Sequence, residues 1–281
     1  MRRATSRPVR RGTFAVAGNV AGFYPIDSPG GWNLLGTTDE NLEHAIAPGD
    51  VIRIDPVAYE LVSSPLATRV VAPDYANLEH GRPVGGPFDD LAAAVATSAV
   101  RGNVELLECA MIGPRVRFVR DAFIAWCTPD LRVEIDRVRA GEERAFGKIE
   151  GGLRAYLAIG DAEGEPVKIT RGERHVIDAI AGPHDIGIRE LECEVTPKLD
   201  RVGIRLHPSR RLEAPANLKS VGMQCGTVQL HPDGSVVVMG PDHPVTGGYL
   251  QPMTVITSER WKLAQLMPGE RVVLRAHPPR P

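Results

Sequence analysis

Glycine and proline constrain the fold of this chain more than any other residues. Together they occupy 53 of the 281 positions, about 19 % where an average protein has about 12 %. Each costs roughly 1 to 3 kcal/mol inside a helix, so a helical bundle is excluded. The glycines follow no period of three and 43 % of the residues are hydrophobic, which excludes collagen and a disordered chain. The sequence therefore predicts a turn-rich, mainly β protein.

Short segments rich in β-branched residues recur along the chain and end in turn residues. Several alternate apolar and polar residues, as strands do when one face lies on a core. Ten or more such strands are typical of barrels or sandwiches. The predicted strands are 13–17, 50–54, 68–72, 115–119, 123–127, 132–135, 153–159, 192–195, 226–230, 235–239 and 271–275. Two short helices are also predicted: one at 91–96 behind Asp89 and Asp90, and one at 258–266 with Ser258 as its N-cap.

A weak repeat suggests the domain organisation. Segments 47–53 and 267–273 share a Pro-Gly turn, an acidic residue and a strand. The pattern favours two similar barrel-like units, with chance similarity of turns as the alternative. We place a boundary within 57–65, where no strand is predicted. The arginine-rich residues 1–11 are interpreted as a solvated basic tail, because no apolar run of signal-peptide length follows them.

Charge and cysteine usage exclude several function classes. The formal net charge is −2 and no run of 18 apolar residues occurs, so neither a nucleic-acid partner nor a membrane span is expected. The four cysteines and eight histidines show no metal-ligand spacing, and no metal is expected. Widely spaced cysteines indicate buried thiols in a reducing compartment, so we expect a cytoplasmic protein. The cysteines are Cys109, Cys127, Cys193 and Cys225.

Four glycine-bearing loops are candidates for ligand binding, with an ordinary tight turn as the alternative for each. Their glycines let backbone amides approach a ligand, and one of the loops precedes a helix whose free N–H groups would suit an anion. The chain has no nucleophile elbow, phosphate loop or dinucleotide motif. The residues by themselves predict a small-molecule cleft built from these loops. The loops are 28–32, 81–87, 197–203 and 244–249.

Two stretches of sequence resemble known families. Residues 12–56 resemble the C-terminal part of allophanate hydrolase subunit 1 (the B component of 5-oxoprolinase), through Val16-Ala17-Gly18-Asn19, Gly22-Phe23-Tyr24-Pro25, Ser28-Pro29-Gly30-Gly31-Trp32 and Leu35-Gly36-Thr37-Thr38. Residues 66–276 resemble allophanate hydrolase subunit 2, a family that also includes biotin-dependent carboxyltransferase-like proteins, the C component of 5-oxoprolinase and kinase-inhibitor antagonists. The motifs of this second stretch are Gly85-Gly86-Pro87-Phe88-Asp89, Leu107-Glu108-Cys109, Gly113-Pro114-Arg115-Val116-Arg117-Phe118, the segment 152–158, the segment 200–206, Gly226-Thr227-Val228-Gln229-Leu230-His231-Pro232-Asp233-Gly234, Thr246-Gly247-Gly248-Tyr249 and the segment 263–272.

The resemblance implies a fold, a domain division and a function. The expected fold is two related cyclophilin-like β-barrel units with a few short helices, in a 12–57 segment and a 58–281 carboxyltransferase-like domain. The expected function is that of a compact subunit of an amide- or ureido-handling complex, 5-oxoprolinase-like or urea amidolyase-like. Such an enzyme is a hydrolase of non-peptide C–N bonds or is carboxyltransferase-like. No cofactor is intrinsic to this chain. ATP, with biotin as a further candidate, is used by partner subunits.

The resemblance also implies the site and the partners. Donors in the motifs would polarise a substrate carbonyl and stabilise a developing oxyanion. The catalytic candidates are Asp200, Arg201 and Tyr249. The substrate-binding candidates are Ser28, Gly30, Gly31, Trp32, Gly86, Gln229, Thr246, Gly247 and Gly248. The expected partners are a small amide or ureido substrate, a protein that resembles allophanate hydrolase subunit 1 or the A component of 5-oxoprolinase, and further copies of this chain.

The sequence departs from the family pattern in two places, and the second departure supports an alternative function. Gly85 stands where the family carries a serine, which removes a hydroxyl. A Leu-Gly-Ser-Arg-Ser-Thr segment, expected after residue 160, is missing. The alternative is therefore a non-catalytic regulatory or binding protein of the kinase-inhibitor antagonist type.

Overall fold

The computed structural model describes residues 13–15, 25–28, 31–34, 51–53, 58–63, 67–70, 72–184, 186–215 and 218–277. The chain divides into two compact units, Met1–Val57 and Ala58–Pro281. In the first unit, β1 (Thr13–Ala15) pairs antiparallel with β4 (Val51–Arg53). A hairpin joins β2 (Pro25–Ser28) to β3 (Gly31–Leu34).

The second unit begins with two antiparallel sheets. The strands are β5 (Tyr59–Ser63), β6 (Ala67–Val70), β8 (Glu105–Ala110), β9 (Arg115–Phe118), β10 (Ala122–Cys127), β11 (Val133–Val138), β12 (Glu143–Ala145) and β13 (Arg154–Gly160). One sheet has the order β11-β10-β13-β8-β6 and the other has the order β12-β9-β5. Strand β13 is buried along its whole length, because one of its faces packs in each of two hydrophobic clusters. A short pair, β7 (Val100–Arg101) and β14 (Ala162–Glu163), lies beside them.

The second half of this unit is a closed barrel. Its strands are β15 (Val176–Ala181), β16 (Glu190–Leu199), β17 (Gly203–Pro208), β19 (Thr227–Leu230), β20 (Val236–Met239), β22 (Leu250–Val255) and β23 (Arg271–His277). The order is β15-β22-β19-β20-β17-β16-β23, and a parallel pairing of β15 with β23 closes the ring. Alternate residues such as Val272, Leu274 and Ala276 point into one apolar core. A short pair, β18 (Val221–Gly222) and β21 (Thr246–Gly247), completes this half.

Short helices connect these sheets. Helix α1 (Asp90–Ser98) presents an alanine-rich face to the five-stranded sheet, and the Asp89 side chain caps it by accepting from Ala92 N at 2.9 Å. Helix α2 (Arg260–Ala264) continues a 3₁₀ turn, Thr257–Glu259, that precedes β23. Another 3₁₀ helix spans Tyr75–His80.

The main architectural prediction is confirmed. The protein is mainly β, with a barrel and a few short helices, and all eleven predicted strand segments contain an observed strand. The predicted cap at Ser258 is wrong: the chain enters α2 through the 3₁₀ turn, and no side chain caps it. The strandless interpretation of 57–65 is also wrong, because β5 pairs there with β9. Strands β8, β15, β17 and β22 were not predicted.

The acidic residue after the second Pro-Gly turn has a local structural role. Gly269 adopts φ +86°, and Glu270 accepts a hydrogen bond from Met267 N at 2.9 Å across the turn. The carboxylate therefore closes the turn that leads into β23. The first copy of the pattern, around residues 47–50, and the predicted basic tail 1–11 lie outside the described residues.

Candidate functional site

A buried group of charged side chains joins the five-stranded sheet to the barrel. The Glu108 side chain is 3 % exposed, and its Oε1 accepts from Arg154 Nε at 3.2 Å. Its Oε2 accepts from Tyr156 Oη at 2.7 Å and lies 2.9 Å from Arg201 Nη1. Burial works to raise the pKa of Glu108, but the charges of Arg201 and Arg154 outweigh burial and hold that pKa below its usual range. Glu108 is therefore an ionised anchor.

Arg201, a predicted catalytic donor, is committed to this group. Its Nε lies 2.7 Å from Asp242 Oδ2, and its Nη2 donates to Asp242 Oδ1 at 2.9 Å and to Gly86 O at 2.8 Å. Its Nη1 contacts Glu108 as an ion pair. All three nitrogens thus face protein oxygens, so the guanidinium orients the 81–87 loop. This contact brings together two predicted site residues, Arg201 and Gly86.

The N-terminus of α1 is closed by the protein itself. Phe88 N donates to Glu108 Oε2 at 2.8 Å, and Asp89 N donates to Tyr156 Oη at 2.8 Å. With Asp89 capping Ala92 N, these groups occupy the donors that would hold an anion. The anion site predicted here is therefore wrong.

Asp89 anchors a second part of the buried group. Its carboxylate accepts from Arg171 through both oxygens, and its Oδ2 also accepts from Gln265 Nε2 at 2.5 Å. The Arg171 guanidinium stacks 4.6 Å above the Trp261 ring. These contacts connect the segment before β15 to α1 and α2. We therefore assign Asp89 and Arg171 a structural role.

A second polar group lies on the outer face of the barrel, between β19 and β22. Val228 pairs with Met253 and Leu230 with Leu250, and all four side chains point into the barrel core. One residue on β19, Gln229, therefore faces two on β22, which is a β-bulge. Alternation places the side chains of Gln229 and Gln251 on the outer face, opposite each other.

Both glutamines are buried although they point out of the barrel. Gln229 is 4 % exposed and Gln251 is 1 % exposed. Gln229 Nε2 lies 2.9 Å from Met223 Sδ, a weak acceptor. Gln251 Nε2 has no hydrogen-bond partner. The face therefore holds two buried amide donors without a strong acceptor.

The next pair along this face is aromatic. His231 follows β19, Tyr249 precedes β22, and their rings stack with centroids 4.0 Å apart. His231 Nε2 is buried without a hydrogen-bond partner. Burial and then the nearby Arg205 lower the pKa of His231 below 6.5, so its imidazole is neutral at pH 7. We call Gln229, His231, Tyr249 and Gln251 the outer polar face.

The 246–248 loop covers this face. A Cβ at Gly247 would lie 2.5 Å from Gln229 Nε2 and 2.7 Å from Met223 Sδ, so any larger residue would displace these two buried side-chain ends. Thr246 and Gly247 pair with β18, and a Cβ at Gly248 would lie 2.8 Å from Leu218 O. The predicted residues Gln229, Gly247 and Tyr249 thus belong to one region.

The other predicted site residues lie elsewhere. Asp200 is exposed, and its Oδ1 accepts from Val202 N at 2.8 Å and from Gly203 N at 3.0 Å. The Asp200 carboxylate therefore stabilises its own turn. It does not pair with Arg201, which contacts other carboxylates. Ser28 and Gly31 pair as strand residues in the β2–β3 hairpin, with Trp32 next to them in β3, where a loop was predicted. Gly30 lies outside the described residues.

Two pockets lie away from all the predicted site residues. One, about 540 Å³, is lined by residues 207–214 and 232–234, and the other, about 350 Å³, is lined by 148–152, Arg174 and Met267. Within the described part of the chain, no cluster of three or more His, Cys, Asp or Glu side chains suits a metal ion. No helix there is long and apolar enough to cross a membrane.

Sequence reasoning assigns no site role to several residues of these groups, although Asp89 and Glu108 lie in family motifs. Glu108, Asp89 and Asp242 meet their partners only through the fold. Gln251 lies in a strand that was not predicted, and its only local signal is a polar residue two positions after Tyr249. His231 lies within the 226–234 motif, but its spacing from the other histidines suits no metal, and the motif assigns it no site role.

Comparison with known proteins identifies the family. The model described as "Carboxyltransferase domain, subdomain A and B" matches residues 80–172 and 161–276. This chain belongs to that family. Residues 1–44 also match "Carboxyltransferase domain, subdomain C and D". The family resemblance predicted from the motifs is thereby confirmed, and both the buried charged group and the outer polar face lie within the matched carboxyltransferase region.

Known relatives are larger proteins. A protein of Emericella nidulans described as "Putative urea carboxylase" is 24 % identical over 270 residues, covering 68 % of this chain and 22 % of the relative. The structure of TTHA0988 superposes with a TM-score of 0.65 at 22 % identity, covering 96 % of this chain and 71 % of that one. The Kluyveromyces lactis urea carboxylase superposes with a TM-score of 0.62 at 20 % identity, covering 79 % and 27 %. The chain spans about a fifth of the curated relative's length, and the superpositions show a shared fold.

Proposed function

We propose that this carboxyltransferase-family chain is a subunit of an amide- or ureido-handling enzyme, and that the outer polar face holds the substrate carbonyl. The observation that carries the proposal is the buried Gln229 amide, for which the thioether of Met223 is the hydrogen-bond partner of Nε2. A carbonyl oxygen is a much stronger acceptor than a thioether. Donors held in a water-poor site stabilise negative charge as it develops on such an oxygen.

Tyr249 and His231 extend the proposed site toward solvent. Tyr249 is 38 % exposed and stacked on His231, which positions a phenol hydroxyl at the rim of the face. A neutral imidazole accepts a proton at one nitrogen. We assign Tyr249 and His231 to donating and accepting protons at the leaving nitrogen. Arg201 and Asp200 have no role in this assignment, because both are engaged in holding loops.

The proposed partners follow from the family. A relative described as a urea carboxylase is more than four times as long as the region it shares with this chain, so we propose that a partner subunit supplies ATP-dependent chemistry. We propose the cytoplasm as the compartment, in keeping with the four free cysteines. The 5-oxoprolinase-like and allophanate hydrolase-like reactions are the two versions of this proposal.

Ligand binding tests the proposal. Thermal unfolding of the full chain is measured with 5-oxoproline, urea, allophanate and biotin, since a ligand at 100 times its Kd adds about 2.7 kcal/mol. We expect an amide or ureido compound to stabilise the wild type and Gln224→Met, and to leave Gln229→Met unchanged. Gln224 is an exposed glutamine of the same region and serves as the matched control. A response that survives Gln229→Met, or no response to any compound, contradicts the proposal.

One observation favours the non-catalytic alternative. Arg201, one of the oxyanion-stabilising candidates in the motifs, has all three nitrogens in contact with protein oxygens. A chain that binds the ligand without chemistry would then act as a regulator. To separate the two functions, the chain is incubated with the ligand, ATP and a partner protein obtained by pull-down. Formation of product supports the enzyme, and ligand recovered unchanged supports the regulator.

A further inference from the structure

We propose that Gln251 joins Gln229 in a two-donor clamp that binds one carbonyl oxygen of a neutral amide or ureido group. This inference rests on the proposed function and specifies the chemistry of the same site. It adds a residue that neither the motifs nor the family match assigns.

The bulge in β22 creates the pair. Without the bulge, the register of the two strands would not place Gln251 opposite Gln229. With the bulge, Gln229 faces both Gln251 and Pro252. Proline has no backbone N–H to donate to the strand ladder, and a bulge is a position that tolerates this. Directly opposed side chains on one face of an antiparallel pair have Cβ atoms about 5 Å apart. Two carboxamides at that separation can converge on one acceptor.

The hydrogen-bond inventory points to an acceptor from a ligand. Gln251 is 1 % exposed and its Nε2 has no partner, while Gln229 Nε2 has only the Met223 sulfur at 2.9 Å. Buried amide donors in proteins are rarely left unpaired, and exceptions accompany functional sites. Gln251 Nε2 is such a donor, and Gln251 stands opposite Gln229 in the strand register, so each of the two side chains has an N–H to give to the same oxygen.

The surroundings select a neutral ligand. The groups that contact Gln229 Nε2 are a thioether and a glycine backbone, neither of which carries charge. The cation near this face, Arg205, is already paired with Asp233, and burying a carboxylate without a counter-charge in contact is strongly unfavourable. A ureido or carboxamide carbonyl needs only the two N–H groups. Gly247 lies directly against the Gln229 amide, because a methyl group at that position would contact Gln229 Nε2.

The glutamine content of the chain allows a direct test. The sequence has four glutamines, Gln224, Gln229, Gln251 and Gln265, so side-chain ¹⁵N-labelled glutamine gives four nitrogen signals, each with a pair of N–H cross-peaks. Gln265 Nε2 already donates to Asp89 and to Arg154 O, and Gln224 is exposed. Both serve as internal references, and single Gln→Met variants assign the signals.

The full chain is titrated with 2-imidazolidinone, a cyclic urea, and separately with acetate. We expect the Gln229 and Gln251 signals to shift together with one Kd, the reference signals to stay, and acetate to have no effect. Gln251→Met and the isosteric Gln251→Glu should each weaken 2-imidazolidinone binding about tenfold. The dispersion of the remaining amide signals shows whether each variant is folded.

The outcomes separate the two proposals. A shift of Gln229 alone, with an unchanged Kd in a folded Gln251 variant, overturns the clamp and leaves the proposed function intact. No shift of either signal, while 2-imidazolidinone or another ureido compound stabilises the chain, overturns the clamp and the assignment of the outer polar face. Binding of acetate at both signals overturns the neutral-ligand class.

Discussion

Glu108→Gln is the sharpest test of how the sheet and the barrel of Ala58–Pro281 are held together. The substitution keeps the shape of the side chain and removes its charge. Four donors converge on this carboxylate: Phe88 N, Tyr156 Oη, Arg154 Nε and, as an ion pair, Arg201 Nη1. A carboxamide must turn an NH₂ group toward at least one of them.

The expected cost follows from burial. The side chains of Glu108 and Arg154 are each 3 % exposed and that of Arg201 is 15 % exposed, so water cannot replace the lost charge. Removing one partner of a buried ion pair typically costs 3 to 5 kcal/mol. We expect the free energy of unfolding to fall by about 4 kcal/mol and Tm to fall by about 10 °C.

Chemical denaturation followed by tryptophan fluorescence measures the change. Trp126 lies in the five-stranded sheet and Trp261 lies in α2, so both sides of the junction are reported. The matched control is Glu190→Gln, which removes the same charge from an exposed pair with Arg275 at 2.9 Å. Exposed pairs contribute little, and the control should change stability by less than about 1 kcal/mol.

The pH dependence supplies a second readout. Because the folded protein holds the pKa of Glu108 below the reference value of 4.5, this carboxylate stabilises the fold fully above pH 4.5. That contribution is lost as the pH falls through the lower, folded-state pKa. The difference between the wild type and Glu108→Gln should thus be constant from pH 8 to pH 5 and shrink below 4.5. The reasoning would be refuted if Glu108→Gln were as stable as Glu190→Gln. It would also be refuted if the stability difference between the wild type and Glu108→Gln vanished above pH 5.

Three further predictions concern the outer polar face. Gln251→Met should raise the free energy of unfolding by about 1 kcal/mol in the absence of ligand, because it removes an unpaired buried donor; urea denaturation checks this, and a loss of stability contradicts it. Gly247→Ala should destabilise the chain by about 1 to 3 kcal/mol by forcing a methyl group onto Gln229, as measured by thermal unfolding beside an exposed Gly222→Ala control. Because the pKa of His231 is lowered in the folded state, protonation favours the unfolded chain. Stability of the wild type relative to His231→Phe should therefore decline as the pH falls below 6.5, and a pH-independent difference would exclude this role.

Much of the fold was predictable because its causes are local. Period-two alternation and turn residues located eleven strand segments, and Asp89 identified the start of α1. Strand β22 was not predicted, because Pro252 interrupts its alternating pattern and a proline argues against a central strand. The structure accommodates Pro252 at the bulge, where the ladder needs no N–H. The same bulge explains why Gln251 was missed.

The candidate site was predictable only in part, since its contacts are non-local. Gln229, Gly247 and Tyr249 stood out through their motifs and do lie in one region. The family resemblance suggested catalytic roles for Asp200 and Arg201, but Arg201 reaches Glu108 and Asp242 and Asp200 accepts from its own turn. The pairing of Glu108 with Arg201 joins two elements whose proximity no local pattern encodes.

The position of β23 in the barrel has a consequence for synthesis of the protein. Its backbone hydrogen-bonds to β15 on one side and β16 on the other, and the residues that pair with Val176 and Ile177 are made about 100 residues later. At 5 to 20 residues per second, that interval is about 5 to 20 s. During it, β15 and β16 each expose an unpaired edge on the ribosome, a state that invites aggregation. A chaperone that shields strand edges should therefore raise the yield of folded chain more than slower expression of the same gene does.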